Sequence, residues 1–282
     1  GQLGDKLKNL GGKSIVLFTQ TFASPSTSKL ISEFSAAYPN VKHVTYDAIG
    51  EQAALDAFES KYGERALADY DFSEAEVIIS VGADILGDWQ GGGFGPTYAK
   101  SRVPKNGKMS RHVQFEANMT LSGANADKRV PMTPAQQKKA VAAIQSIVSG
   151  GSANTGLPAE LDEAVKSAAA QLRKAGSKGV FVTGVQDANA QMVALSINET
   201  LGSAIIDVQA PKMTRQGNAE EVQQLVADMN SGAVGALLVA GVNPAYSLPN
   251  ADEFVAGLEN VDVKVSFNMK EDETGLLCNY LA

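Results

Sequence analysis

Two stretches of the sequence decide the fold: Val77-Ile-Ile-Ser-Val81-Gly-Ala-Asp84 and Ala236-Leu-Leu-Val-Ala240-Gly-Val-Asn243. Each is a short apolar run that ends in Gly, one apolar residue, and then Asp or Asn. An apolar run of this length, bounded by turn residues, is typical of a strand buried on both faces in a parallel sheet. Gly, Asp and Asn are the residues that allow a tight turn after such a strand.

Two more pairs of segments repeat in the same order along the chain. Residues 15–19, followed by a helical pattern, resemble residues 179–183 and the helical pattern after them. Residues 119–127 resemble residues 272–279. Self-similarity in a preserved order indicates two copies of one supersecondary unit.

Strands and helices alternate between these repeats. The predicted strands are residues 14–19, 41–46, 77–81, 112–115, 180–183, 204–207, 236–240 and 261–267. The predicted helices are residues 24–38, 160–174, 187–201 and 219–230, and one that begins after Thr133. Thr133-Pro134-Ala135-Gln136 has the residue types of a capping box, with Thr before the helix and Gln at its third position.

This alternation predicts an α/β protein with two similar, doubly wound (Rossmann-like), mostly parallel sheets. A length of 282 residues favours two domains. We expect the first α/β half in residues 1–150 and the second in residues 151–282. The Gly-, Ser- and Asn-rich residues 149–157 are the predicted joint.

Composition excludes several classes of function. The formal net charge is −7 and no basic stripe is present, which argues against nucleic acid as a partner. The longest nearly apolar run, residues 234–242, is far shorter than the ~20 residues of a membrane-spanning helix. Residues 1–12 contain no apolar stretch typical of a signal peptide.

Cofactor ligands are scarce in the sequence. The chain has one cysteine, Cys278, and two histidines, His43 and His112. An iron–sulfur cluster typically takes four thiolates and structural zinc takes four Cys or His ligands. We therefore expect no iron–sulfur cluster, zinc or haem bound by this chain, and we assign no catalytic residue.

Gly82, Asp84, Gly241, Asn243 and Pro244 follow two of the predicted strands. In open α/β sheets, ligands bind beyond the carboxyl ends of the strands, where Gly allows close approach and Asp or Asn offers hydrogen bonds. These five residues are therefore candidate ligand-contacting positions. The alternative is that both segments are only turns, in which the same residues are common.

Two other segments favour the simpler interpretation. Gly91-Gly92-Gly93-Phe94-Gly95 lacks the spacing of a dinucleotide-binding fingerprint and predicts a loop. Glu271, Asp272 and Glu273 contain carboxylates without a fixed geometry, so a solvated acidic turn is favoured over a catalytic carboxylate pair.

Taken together, the motifs resemble molybdopterin-dependent oxidoreductases of the dimethyl-sulfoxide-reductase type. The family's Gly-x-Asn-Pro is similar to Gly241-Val-Asn243-Pro244, and its Asp-Glu-Thr-Ala run is similar to Asp272-Glu-Thr274-Gly. Where the pterin-binding members have Asp-Pro-Arg-Arg-Thr, this chain has Glu116-Ala-Asn-Met-Thr120. Because the two arginines are absent, the bidentate donors that a phosphate requires are absent too. Glu116 thereby joins the candidate positions.

Two longer segments, residues 70–84 and 111–127, resemble the large periplasmic, iron–sulfur subunit of bacterial alternative complex III. This resemblance covers nearly the whole chain, from about Lys13 to Ala282, and implies the central, cofactor-free part of a larger subunit. It implies iron–sulfur clusters elsewhere in the same subunit. Its expected partners are haem c-bearing cytochrome subunits and integral membrane quinol-binding subunits, at the periplasmic face of the inner membrane.

The resemblance implies a structural role in a quinol:cytochrome c or quinol:oxidase electron-transfer complex. Two alternatives stay open. The chain is a fragment of a molybdopterin-binding oxidoreductase, or it is a stand-alone α/β protein that binds a small ligand.

Overall fold

The structure is a computed structural model that describes residues 2–38, 40–152 and 154–282. Within these ranges the chain forms an α/β protein with two parallel sheets, of five and four strands, and one antiparallel pair. The predicted fold class is confirmed.

The strands in chain order are β1 (Ser14–Thr19), β2 (Val41–Thr45), β3 (Leu67–Tyr70), β4 (Val77–Val81), β5 (Arg111–Glu116), β6 (Lys128–Pro131), β7 (Gly179–Thr183), β8 (Ile206–Lys212), β9 (Val234–Ala240), β10 (Val263–Ser266) and β11 (Tyr280–Leu281). The α-helices are α1 (Gln2–Lys8), α2 (Pro25–Ala37), α3 (Gln52–Tyr62), α4 (Gly95–Ser101), α5 (Leu121–Asn125), α6 (Pro134–Val148), α7 (Ala159–Ala175), α8 (Ala188–Leu201), α9 (Ala219–Asn230), α10 (Pro244–Ser247) and α11 (Ala251–Leu258).

The chain folds into two compact units. Unit 1 combines Gly1–Gln52 with Thr214–Ala282, and unit 2 is Ala53–Met213. These boundaries differ from the predicted halves, 1–150 and 151–282. The physical reason is strand pairing across the sequence: β1 pairs with β9 in one sheet, and β4 pairs with β7 in the other. Each predicted half therefore contributes strands to both sheets.

The expected joint at residues 149–157 lies inside unit 2. Its described residues connect α6 to α7. Both helices pack in one apolar core that includes Val148 and Val165, and Leu157 of the connection packs against that core. A connection between two helices of one core is a loop and not a domain linker. Ala153 falls outside the described residues.

Unit 1 has the parallel strand order β11-β10-β9-β1-β2. On one face, Val16 and Phe18 of β1 pack in a core with residues of α9 and α11. On the other face, Ile15 packs in a core with Leu7 of α1, and Phe34 of α2 lies against that core. Helices thus lie against both faces of this sheet, as in a doubly wound fold.

Unit 2 has the parallel strand order β6-β5-β4-β7. Ile79 and Phe115 face a core that α6 and α7 complete, and Ile78 faces a second core with Phe58 of α3 and Tyr98 of α4. β8 pairs with β3 in a separate antiparallel ribbon, and all the residues of β8 are half-buried or exposed. That ribbon is absent from the sequence-based prediction.

The two strand orders correspond element by element. β9, β10, β11 and β1 of unit 1 occupy the positions that β4, β5, β6 and β7 occupy in unit 2. The strand at the start of residues 77–84 is therefore equivalent to the strand at the start of residues 236–243. In the same way, residues 15–19 are equivalent to residues 179–183. The internal repeat inferred from the sequence is a structural repeat.

The predicted capping box is confirmed, since Thr133 and Gln136 form both of its bonds at the start of α6. At the start of α2, the Ser24 side chain accepts a hydrogen bond from Thr27 N. Leu30 of α2 is 65% exposed. Among the described residues, no helix is both long enough and apolar enough to cross a membrane.

Candidate functional site

In unit 2, the candidate residues after β4 are held by the protein itself. Gly82 has φ +74°, a conformation that glycine adopts without strain, and its N–H donates to Phe115 O at 2.7 Å. Asp84 Oδ1 accepts hydrogen bonds from Ser122 N at 2.9 Å and from Ser122 Oγ at 2.7 Å. The Asp84 carboxylate thus fastens the loop after β4 to the start of α5.

Glu116 ends β5 and is 2% exposed. Its carboxylate accepts hydrogen bonds from Thr120 Oγ1 at 2.6 Å and from Gln114 Nε2 at 3.3 Å, and it forms an ion pair with Arg129 Nε. A buried carboxylate requires such partners, because an unpaired charge in the interior is very costly. Glu116 therefore organises the turn that leads into α5.

A buried polar row precedes Glu116 on the same face of β5. His112 and Gln114 are both 0% exposed. Gln114 Nε2 donates to Ala83 O at 3.0 Å, and its Oε1 lies 3.1 Å from His112 Nε2. Since an amide oxygen only accepts, His112 Nε2 carries the proton, and Nδ1 then accepts the Tyr98 hydroxyl at 3.1 Å. Burial lowers the pKa of His112 to about 4.

In unit 1, the residues after β9 form an equivalent arrangement. Asn243 Oδ1 accepts hydrogen bonds from Thr274 N at 3.1 Å and from Thr274 Oγ1 at 2.7 Å, while Asn243 Nδ2 donates to Glu273 Oε2 at 2.6 Å. Pro244 is buried at the first position of α10. Both polar atoms of the Asn243 side chain therefore bind the turn after β10.

Gly241 is held by a hydrogen bond and by a close side-chain contact within unit 1. It has φ +73°, and its N–H donates to Asn268 Oδ1 at 2.7 Å. A Cβ added at this residue would lie 2.7 Å from the side-chain amide carbon of Gln20. The glycine therefore leaves the space that the Gln20 side chain occupies. The Gly-x-Asn-Pro segment of unit 1 is thus built around contacts within the protein.

The acidic residues that precede Thr274 have separate roles. Asp272 Oδ1 accepts from Gly275 N and Asp272 Oδ2 accepts from Asn268 Nδ2, both at 2.8 Å. Hydrogen bonding to Asn243 lowers the pKa of Glu273. These carboxylates bind different partners, as expected of an acidic turn and not of a catalytic pair.

Sequence analysis did not single out Asp47, which follows β2 in unit 1. Its carboxylate accepts hydrogen bonds from Thr21 Oγ1 at 2.6 Å, from Thr21 N and Gly217 N at 3.0 Å, and from Gln216 N at 3.1 Å. Burial raises the pKa of Asp47, but these hydrogen bonds outweigh burial and lower it. The available signal was an acid two residues after β2, at the carboxyl end of a predicted strand, where candidate residues were sought.

A cleft of about 950 Å³ begins beside Asp47 and runs along α9 in unit 1. Its polar lining includes Asn218, Asn250 and Glu253, and its apolar lining includes Val222. Among the described residues, no Lys or Arg lines this cleft.

The other two possible metal ligands, His43 and Cys278, each have a hydrogen-bond partner within the protein. His43 Nε2 is 2.8 Å from Thr19 Oγ1, and burial lowers the pKa of His43. Cys278 Sγ donates to Thr274 O at 3.3 Å, and burial raises the pKa of this thiol. Within the ranges that the structure describes, no three His, Cys, Asp or Glu residues form a group suited to a metal ion.

Asp84 and Glu116, at the carboxyl edge of unit 2, are not the cationic donors that the phosphate groups of a pterin cofactor would need. The nearby Arg129 is paired with Glu116. Between β4 and β7, a Cβ added to Gly184 would lie 2.1 Å from Gly82 O, so the two loops are in direct contact. The loops after β4 and β7 thus touch each other just beyond the carboxyl ends of their strands, the edge at which ligands bind in open α/β sheets.

No protein-family model matches the chain, and no curated protein matches it by sequence. Among solved structures, acetylene hydratase from Pelobacter acetylenicus is similar, with a TM-score of 0.62 and 13% identity over 99% of this chain and 51% of that one. The formyltransferase/hydrolase complex from Methylorubrum extorquens, solved with methylofuran, is similar with a TM-score of 0.60 and 11% identity, over 100% of this chain and 81% of that one.

At these identities the likeness concerns the fold alone. The chain spans about half the length of the acetylene hydratase chain that it matches. The α/β fold implied by the sequence motifs is therefore shared with known enzymes over essentially the whole of this chain.

Proposed function

We propose that this chain is a structural part of a subunit in a membrane-associated electron-transfer complex that oxidises quinol, of the alternative complex III type, and that it holds no redox centre of its own. The observation that carries this proposal is the use of the strand-end side chains. Asp84, Glu116 and Asn243 bind Ser122, Arg129 and Thr274. In open α/β sheets that bind ligands, the ligand lies beyond these strand ends, where such side chains are available to it.

The specific complex is supported by the sequence resemblance of residues 70–84 and 111–127 to its large periplasmic subunit. In this proposal the iron–sulfur clusters lie in other parts of the same subunit. Haem c lies in cytochrome partners, and the quinol-binding subunits lie in the membrane. The chain contributes two α/β units against which those parts pack, at the periplasmic face of the inner membrane.

Purification of the native assembly through a tag on this chain tests the proposal. We expect haem-bearing and integral membrane subunits to co-purify, iron to be present, and molybdenum and pterin to be absent. Molybdenum in a one-to-one ratio with the chain would instead support the molybdopterin-binding alternative. Recovery of the chain without any partner subunit would support the third alternative, a stand-alone ligand-binding protein.

A further inference from the structure

Unit 2 has a groove of about 900 Å³ at the amino-terminal edge of its sheet, opposite the edge that holds Asp84 and Glu116. Three parts of the unit line it: the segment that enters β4, the chain between α4 and β5, and the last turn of α7. Neither the candidate residues nor the proposed scaffold role accounts for this groove.

The charge of the groove is opposite to that of the protein. Six of the chain's 24 Lys and Arg residues line it, against three of its 31 acids, whereas the whole chain carries a net charge of −7. The cations are Lys100, Lys105, Lys108, Arg111, Lys174 and Lys178. A concentration of positive charge on an acidic protein attracts anionic partners and orients them during association.

The three acids of the groove are already engaged. Glu76 pairs with Lys178 at 2.7 Å, and Glu74 lies 3.8 Å from Lys105. Asp127 forms a two-pronged ion pair with Arg102, at 2.7 and 2.9 Å. These pairs neutralise the acids, so the groove's excess positive charge must come from its other cations.

Four exposed cations remain. Lys100, Lys108, Arg111 and Lys174 form no ion pair within 4.0 Å among residues 2–38, 40–152 and 154–282, although Arg111 Nε donates to the neutral Gln171 at 2.9 Å. Four exposed charges of one sign around one groove repel one another, and an anionic partner relieves that repulsion.

The chain between α4 and β5 forms one wall of the groove and folds into a β-hairpin turn. Lys105 and Lys108 exchange backbone hydrogen bonds of 2.8 and 3.0 Å across Asn106 and Gly107, whose φ values of +52° and +74° are those of a tight hairpin turn. Its arms expose Val103 (58%) and Met109 (48%) beside the cations. The surface therefore combines positive charge with apolar side chains.

We infer that this groove docks an acidic polypeptide segment of a partner subunit, one whose Asp or Glu residues are interspersed with apolar side chains. The inference rests on the proposed function, since it identifies the surface through which the scaffold holds a partner. A polypeptide fits better than a nucleic acid or an anionic membrane, because dense phosphate would leave the exposed apolar side chains of Val103 and Met109 without a partner.

The test is a titration of the 282-residue chain with a fluorescein-labelled synthetic peptide of alternating Glu, Asp and Leu, followed by anisotropy. We expect saturable binding that weakens as salt is raised from about 50 mM to about 300 mM, because salt screens exposed charges. The triple variant Lys100→Gln, Lys108→Gln, Lys174→Gln should bind the peptide at least about tenfold more weakly. The matched control, Lys8→Gln, Lys29→Gln, Lys270→Gln, removes the same charge from unit 1 and should bind as the unaltered chain does.

Three outcomes would overturn the inference: no binding of the acidic peptide, equal weakening by both triple variants, or tighter binding to phosphatidylglycerol vesicles or to a single-stranded oligonucleotide than to the peptide. The same peptide with Lys in place of its acids should not bind. Because this titration needs no assembled complex, its failure leaves the proposed function untouched. Absence of haem-bearing partners in the tagged purification would contradict the proposed function whatever the titration shows.

Discussion

Asp84 and Ser122 are joined twice in unit 2, since Asp84 Oδ1 accepts from both the backbone N–H and the hydroxyl of Ser122. Asn243 Oδ1 and Thr274 are joined in the same way in unit 1. Each acceptor comes two residues after a glycine with positive φ at the end of an equivalent strand. In each unit, this pair of hydrogen bonds to one side-chain oxygen joins two strand-end loops, and we call it the clamp of that unit. The clamp is present in both copies of the internal repeat.

Replacing Asp84 by Ala should remove both bonds of the unit 2 clamp and lower the free energy of unfolding by about 1–3 kcal/mol. Asp84→Asn is the matched control, because it keeps the Oδ1 acceptor and copies the residue that unit 1 uses. It should lose less than about half as much. Urea denaturation measures both values, and equal losses in the two variants would show that the negative charge, and not the acceptor, matters.

Gly123 makes room for the Glu116 carboxylate, since an added Cβ would lie 1.8 Å from Glu116 Oε1. Gly123→Ala should therefore displace Glu116 from its partners and destabilise the protein by about 2–4 kcal/mol. Gly4→Ala serves as its control, because Gly4 lies within α1 and the nearest atom to an added Cβ is the Tyr38 hydroxyl oxygen, at an ordinary contact distance of 3.7 Å. That variant should be neutral or up to about 1 kcal/mol more stable in thermal unfolding.

Sequence patterns predicted the strands that are buried on both faces. β1, β4 and α9 have the predicted bounds. The missed strands β3, β6 and β11 have only two to four residues, and β6 contains Lys128 and Arg129, so they lack an apolar run. Their formation depends on neighbouring strands, which a local pattern does not report.

The domain boundaries were not predictable from local patterns, because the strand pairs β1–β9 and β4–β7 join residues that lie far apart in the sequence. The candidate residues follow the strands that the sequence predicted, but their hydrogen-bond and ion-pair partners were not predicted. Nothing in the sequence shows that Arg129 would neutralise Glu116 or that Ser122 would bind Asp84. Asp47 was missed because its partners come from two distant segments around Thr21 and Gly217.

The ion pair between Glu116 and Arg129 should show strong coupling in a double-mutant cycle. Glu116→Gln alone leaves Arg129 without its charged partner, and Arg129→Met alone leaves a carboxylate that is 2% exposed without its cation. Each single change should cost about 2–4 kcal/mol, and the double variant should cost clearly less than the sum. Additive losses in chemical denaturation would mean that the pair does not interact energetically.

His112 should make the protein less stable in acid. Its folded-state pKa of about 4 lies below the ordinary value of 6.5, so the unfolded chain binds a proton more readily between these values. The free energy of unfolding should therefore fall by up to roughly 3 kcal/mol as pH decreases from 6.5 to 4. Below pH 4 the contribution of His112 to this free energy should no longer change with pH.

The pH dependence can be assigned by removing the histidine. His112→Gln should flatten the stability profile between pH 6.5 and 4, leaving a residual slope to which His43 contributes, because burial lowers its pKa too. NMR of the unaltered chain at pH 7 should find the His112 proton on Nε2. A profile of unchanged steepness in His112→Gln would show that other groups cause the acid sensitivity.

Turnover in the assembled complex separates a structural role from a catalytic one. In the proposed function, Asp84 and Asn243 act only through the clamps that they form with Ser122 and Thr274. Asp84→Ala and Asn243→Ala should therefore leave quinol oxidation, normalised to haem content, within about twofold of the unaltered complex, even if less complex assembles. Removal of a catalytic group usually lowers turnover by a factor of about 100 or more. A loss of that size in fully assembled complex would mean that these strand ends take part in the reaction and that the scaffold proposal is wrong.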